Sequence, residues 1–189
     1  MKKVNFVFAA MLSLTAFAFA SNAQTTDYSG TWTLDATKSK LDERMRVESM
    51  TLTVAQTATD ISVTTETKRM PRPADAPAPP AGRGGGRGGM MGGGDGTTKY
   101  TLEGKEAKTE IDGPMGKMPQ ALTAKLEGGK LMLSKSSTVS SPMGEVTIST
   151  KEAWSMSGDG KTLTVVRDQT TPRGSTSLTL VFIKIKSSN

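Results

Sequence analysis

The chain has no cysteine and no histidine. Disulfides, thiolate or imidazole metal sites, and Ser-His or Cys-His nucleophilic machinery are therefore excluded. Its carboxylates are scattered over turns and exposed strand positions, with no acidic pair held at a catalytic spacing. The absences point away from an enzyme, and no catalytic residue, metal site or cofactor is expected. Aromatic residues make up only 5% of the 189, and most of the phenylalanines stand in one place, the N-terminus.

That N-terminal stretch reads as an export signal. Lys2 and Lys3 precede an apolar run from Val4 to Ala20, and Ser21-Asn22-Ala23 offers the small residues a signal peptidase needs, so the cut is expected after Ala23. The run is at or below the length a membrane span requires and no basic stop-transfer cluster follows, so no transmembrane segment is expected after cleavage. The location implied is periplasmic or secreted. Phe6, Phe8, Phe17 and Phe19 leave with the signal, and the formal charge of +6 falls by two because Lys2 and Lys3 go and no acid does. The remainder, 24–189, is long enough for one domain with a real core. Leu, Val, Ile and Met are expected to fill most of it.

What the mature chain does have is alternation. In Glu145 to Asp168, Val146, Ile148, Thr150, Glu152, Trp154 and Met156 fall on one face by period two. A Gly-Asp-Gly turn then leads to Leu163, Val165 and Arg167 on one face of a return strand. Val47 to Gln56 alternates in the same way and returns through Ile61, Val63 and Thr65. Further strands are expected at Asp27–Asp35, Thr97–Leu102, Ala107–Ile111, Gln120–Leu126 and Lys130–Val139. Ala36–Met45 reads as a loop or short helix, and Asp112–Pro119 and Thr170–Gly174 as loops. Thr176–Lys186 carries apolar residues on both faces, as a strand covered on both sides would. About ten short strands in up-and-down order are what a closed meander barrel requires.

One segment breaks the pattern. Met70 to Gly96 (70–96) is Pro/Ala-rich and then Gly/Arg-rich, a composition that cannot build a packed core and reads as a disordered loop inserted between two strands. Loop closure costs little more with length, so one domain can carry it. Arg83 and Arg87 lie in this segment as an RGG-like tract without the aromatic residues that base stacking needs. A solvated loop of no fixed role is the first reading; an anionic envelope surface is the partner expected if the tract has one, and nucleic acid is not. Methionine, twelve in all, can bind Cu(I) or simply fill an irregular core; without histidine beside it the second use is favoured.

Gly30-Thr31-Trp32 on the first strand, ahead of this meander, resembles the G-x-W opening of the lipocalin-like (calycin) barrels. SGTWTLDATKSKL, KYTLEGKE and EAWSMSGDGKTLTV are similar to small exported bacterial proteins of that general shape. The resemblance implies an all-β, up-and-down antiparallel barrel of about 8–10 strands and a small apolar or amphipathic ligand. It also implies a late-strand arginine packed on Trp32, for which Arg167 and Arg173 are candidates. Trp32, Glu152, Trp154 and Arg167 are the expected ligand-binding residues. Glu152 and Arg167 are either an interior ion pair that anchors a ligand or an exposed cross-strand pair that laces the sheet. The competing class of function is an envelope interaction module with a solid barrel.

Overall fold

The computed structural model describes residues 26–41, 46–71, 95–113, 116–141 and 144–185. The expected signal peptide, the core of the 70–96 segment with Arg83 and Arg87, and the Met90-Met91 pair lie outside the described residues. The chain forms ten strands: β1 (Gly30–Leu34), β2 (Val47–Gln56), β3 (Asp60–Arg69), β4 (Gly96–Thr101), β5 (Ala107–Gly113), β6 (Gly116–Glu127), β7 (Lys130–Ser141), β8 (Gly144–Met156), β9 (Thr162–Thr171) and β10 (Gly174–Ile185). All pairings are antiparallel, and the order runs β4-β3-β2-β1-β10-β9-β8-β7-β6-β5. This is the up-and-down barrel expected from the sequence. Its two edges, β4 and β5, are not laddered to each other. At one end the residues just after β4 reach β6 instead, through a bridge between Glu103 and Lys125 and a 2.9 Å bond from Gly104 N to the Ala124 carbonyl.

Alternation puts the apolar set inside. Leu52, Val54, Ile61, Leu131, Leu163, Val165, Leu180 and Phe182 are buried, and so are Tyr28, Trp32, Tyr100 and Trp154. Every large aromatic among the described residues is therefore in the interior. Burying each contributes more apolar area than any aliphatic can. The expectation of an aliphatic core needs that amendment.

Residues 26–32 seal one end of the barrel. Gln56 accepts from Tyr28 N at 3.0 Å and donates from Nε2 to the Thr26 carbonyl at 3.0 Å. The Tyr28 hydroxyl reaches the carbonyls of Gly129 and Trp154 at 3.0 and 3.1 Å. Trp32 Nε1 donates to the Tyr28 carbonyl at 3.0 Å. Lys184 Nζ caps the Trp32 ring 5.1 Å from its centroid. That cation is neither Arg167 nor Arg173, which corrects the expectation. Register explains it, because Trp32 lies directly opposite Lys184 on β10, whereas Arg167 sits on β9, which β1 does not touch. Gly30 lies at φ +132°, and a Cβ there would sit 2.6 Å from Lys184 Cε.

Three other expectations are corrected. The sequence read as a loop over 112–119 is strand on both sides of residues 114–115. Met118 pairs with Ile111 and is buried, and Pro119 lies one residue beyond the β6–β7 ladder, which begins at Gln120. Strand likewise runs through to Thr171 and resumes at Gly174, leaving only Pro172-Arg173 as the turn. The outer face of β10 is not fully covered: Val181 at its middle is half-buried, and Ile183 and Ile185 toward its end stay 36% and 46% exposed. A single-layer barrel has one covered face. The Asp35–Lys40 segment pairs alongside β10 through Asp35 N to the Val181 carbonyl and Lys40 N to the Thr179 carbonyl, and so adds no outer layer. Among its described residues it forms turns rather than a helix.

Substituting Gly30 by Ala is expected to destabilise the fold by about 1–3 kcal/mol, the usual cost of a non-glycine residue in this backbone region. Thermal unfolding of Gly30→Ala in wild-type and Lys184→Ala backgrounds measures it. Equal losses in both are expected, because the strain is in the backbone and the lysine stem can move aside. Full rescue by Lys184→Ala would show that crowding alone is responsible.

A polar layer inside the barrel

The interior changes character halfway along. Above the sealed apolar end, the inward positions become Thr65 on β3, Thr98 and Tyr100 on β4, Lys135 on β7, Glu152 on β8 and Arg167 on β9, which with Leu52, Val63, Leu133 and Trp154 line one cleft. Beyond that layer, toward the end where β7 turns into β8, the inward residues Val139, Val146 and Ile148 are half-buried and apolar. The free volume of the cleft is about 30 Å3. That is room for about two water molecules, far short of the several hundred Å3 of a ligand-sized cavity.

The β8–β9 hairpin builds the centre of the layer. Glu152 and Arg167 are direct register partners, so their side chains emerge on the same inner face. Arg167 Nε donates to Glu152 Oε1 at 2.6 Å, with the two side chains only 8% and 13% exposed. Trp154, two residues along the same face, donates from Nε1 to Glu152 Oε2 at 2.7 Å. The interior pair of the two alternatives is the one the chain forms. Of the four expected ligand-binding residues, Glu152, Trp154 and Arg167 meet here. Trp32 lies in the seal and takes no part in lining the cleft.

Two members escaped the sequence reading. Lys135 stands between Leu122 on β6 and Thr150 on β8, both buried, so its stem is walled on either side. Burial lowers the proton affinity of its amine; Glu152 opposes the effect and Arg167 adds to it. Desolvation likewise holds the buried Tyr100 phenol far above its ordinary range, with Glu152 adding to the effect. The signal for Lys135 was parity: Leu131, Leu133 and Lys135 alternate in the sequence, and two apolar residues on that face place the third inside. Two further inward side chains, Thr67 Oγ1 and Gln169 Nε2, are buried without a hydrogen-bond partner. Among the described residues no group of three or more Asp or Glu side chains could hold a metal ion, and no helix is long and apolar enough to cross a membrane.

Fold and site together define a ten-strand antiparallel meander barrel with one sealed end and an ion-paired layer at its middle. No protein-family model matches the chain, and no curated protein does at a significant level. Among solved structures, the zebrafish ileal bile acid-binding protein in complex with cholic acid covers 84% of this chain and 98% of its own, at 17% identity and a TM-score of 0.46. The strand order of this chain, rather than that likeness, carries the fold assignment.

Removing one partner of a buried ion pair typically costs about 3–5 kcal/mol, whereas replacing both with apolar residues is often neutral. Glu152→Ala and Arg167→Ala are each expected to lower the unfolding free energy by that amount in urea titrations, and Glu152→Leu/Arg167→Met to recover most of it. Unchanged stability in both single variants would place the pair at the surface. Lys135→Met has a pH signature. Because the folded state lowers the lysine's proton affinity below its ordinary value of 10.5, charging it opposes folding at neutral pH, and the penalty fades as pH rises toward 10.5. The variant is expected to melt higher than wild type at pH 7, with the gain vanishing near pH 10.5. A gain independent of pH would mean that the ammonium is fully solvated.

Proposed function

We propose that the chain is an exported, non-enzymatic binding protein, cut after Ala23, that takes a small amphipathic molecule through the unsealed end of its barrel. The observation that carries this reading is the order of the interior layers. A sealed apolar base is followed by Tyr100, Lys135, Glu152 and Arg167, and then by a half-buried apolar rim of Val139, Val146 and Ile148. A molecule with an apolar tail and a hydrogen-bond-accepting end matches that sequence, with its polar end inward. Among the described residues the donors Lys135 Nζ, the Tyr100 hydroxyl and Gln169 Nε2 face inward without a hydrogen-bond partner, while both oxygens of Glu152 already accept one. Arg83 and Arg87 would hold the protein near an anionic envelope surface, through charge alone.

A second reading is supported by the free volume of about 30 Å3. On it the barrel is solid, and the protein is an envelope interaction module whose exterior and 70–96 segment make the contacts. Native mass spectrometry of the protein recovered from its own envelope separates the two. The carrier reading expects a polypeptide beginning at Gln24 with a co-purified small-molecule mass, and reloading with medium-chain amphiphiles after delipidation. Ile148→Ala is expected to weaken that reloading by about three- to tenfold, the effect of roughly 1 kcal/mol of lost apolar contact. Bare polypeptide at every amphiphile concentration would leave the solid-barrel module.

A further inference from the structure

We infer that Lys135 is a covalent capture site that forms a reversible imine with an aliphatic aldehyde whose carbonyl enters the polar layer. The inference rests on the amphipathic-carrier reading above and names the chemical class of its ligand. Three observations carry it. First, Lys135 is the only lysine among the described residues that is not solvent-exposed, and it lines the cleft at the middle of the barrel. Second, among the described residues no carboxylate lies within 4 Å of its amine and no hydrogen bond holds it. Glu152, which faces the amine, is held instead by Arg167 Nε at 2.6 Å and Trp154 Nε1 at 2.7 Å. Third, the space beside Lys135 admits a group the size of a carbonyl, and apolar Val139, Val146 and Ile148 follow on the same inner faces of β7 and β8.

The chemistry follows from that environment. Desolvation and the Arg167 guanidinium raise the neutral fraction of the Lys135 amine, and Glu152 works against them. The neutral nitrogen attacks the carbonyl carbon, the carbonyl π pair moves to oxygen, and a proton passes from nitrogen to that oxygen to give a carbinolamine. Loss of the hydroxyl with one more proton expels water and leaves the C=N bond. Tyr100, kept protonated by burial, faces the same cleft and can hand a proton to the departing hydroxyl and recover one from nitrogen. The balance is amine plus aldehyde to imine plus water, with no oxidant, reductant or metal. Hydrolysis releases the ligand by the same path.

The test uses the full mature chain with nonanal and, in parallel, 1-nonanol, which has the same tail and cannot form an imine. Limiting nonanal is added near neutral pH, the imine is trapped with cyanoborohydride, and peptide mass mapping locates the label. Uptake of 1-nonanol is followed by native mass spectrometry. The expected result is label at Lys135 in several-fold excess over any exposed lysine. That preference should be lost in Lys135→Met, which remains folded, and lost in wild type unfolded by urea. Label spread evenly over the lysines overturns the capture site, and the carrier reading then stands or falls on whether 1-nonanol binds. Selective label at Lys135 without uptake of 1-nonanol keeps the capture site and removes the carrier reading. No label at Lys135 and no uptake of alcohol remove both.

Discussion

A carboxylate placed inside a barrel must have both oxygens occupied, and the way Glu152 meets that demand organises the rest of the interior. An ionised group taken out of water costs several kcal/mol unless its partners are close and well aimed. Arg167 Nε supplies one partner and Trp154 Nε1 the other. The second bond also fixes the plane of the Trp154 ring. Tyr28 packs edge-on against that ring, with centroids 6.1 Å apart at 74°, and its hydroxyl meets the Trp154 and Gly129 carbonyls. Through the Tyr28 carbonyl the chain of contacts reaches Trp32, and over Trp32 lies Lys184. The polar middle of the barrel and its sealed end are thus one connected network. A slip of one residue in the β8–β9 register would break it, because it would turn Arg167 to solvent and leave Glu152 inside.

The same dependence shows which parts of the structure could be read from the sequence. Glu152, Trp154 and Arg167 share a hairpin, so local alternation and one Gly-Asp-Gly turn suffice to bring them together. The ten-strand order follows from the same kind of local pairing, repeated from hairpin to hairpin. Lys135 and Tyr100 are different. Tyr100 sits on β4, an edge strand reached only by going round the whole barrel, so its approach to Glu152 is a property of closure that no window of sequence contains. Lys184 over Trp32 is a long-range register fact of the same kind. Gly-Pro-Met-Gly in 113–116 and Thr-Pro-Arg-Gly in 171–174 read as loops because glycine and proline are turn residues. In the second the turn is only Pro172-Arg173, so short that the strands run almost into it, and β5 and β6 leave only residues 114–115 between them.

The two halves of the barrel answer different constraints. At the sealed end, Leu, Val and aromatic residues fill the space as they would in any core built for stability, with nothing left unpaired that a hydrophobic residue could replace. In the upper half the chain keeps a half-buried lysine amine that no carboxylate among the described residues approaches within 4 Å, a phenol whose proton affinity burial raises, and two buried polar atoms, Thr67 Oγ1 and Gln169 Nε2, without a hydrogen-bond partner among the described residues. Each unsatisfied buried group costs about 1–3 kcal/mol, and an apolar residue of similar size would remove that cost. A barrel selected for rigidity alone has no reason to retain them, and the chain makes well-packed apolar layers a few residues away. Local departures of this kind, concentrated in one region of an otherwise consistent fold, are where function is expected to reside. The free volume of about 30 Å3 leaves this region close to filled. Its departure from an ordinary core therefore lies in unpaired polar groups rather than in loose packing.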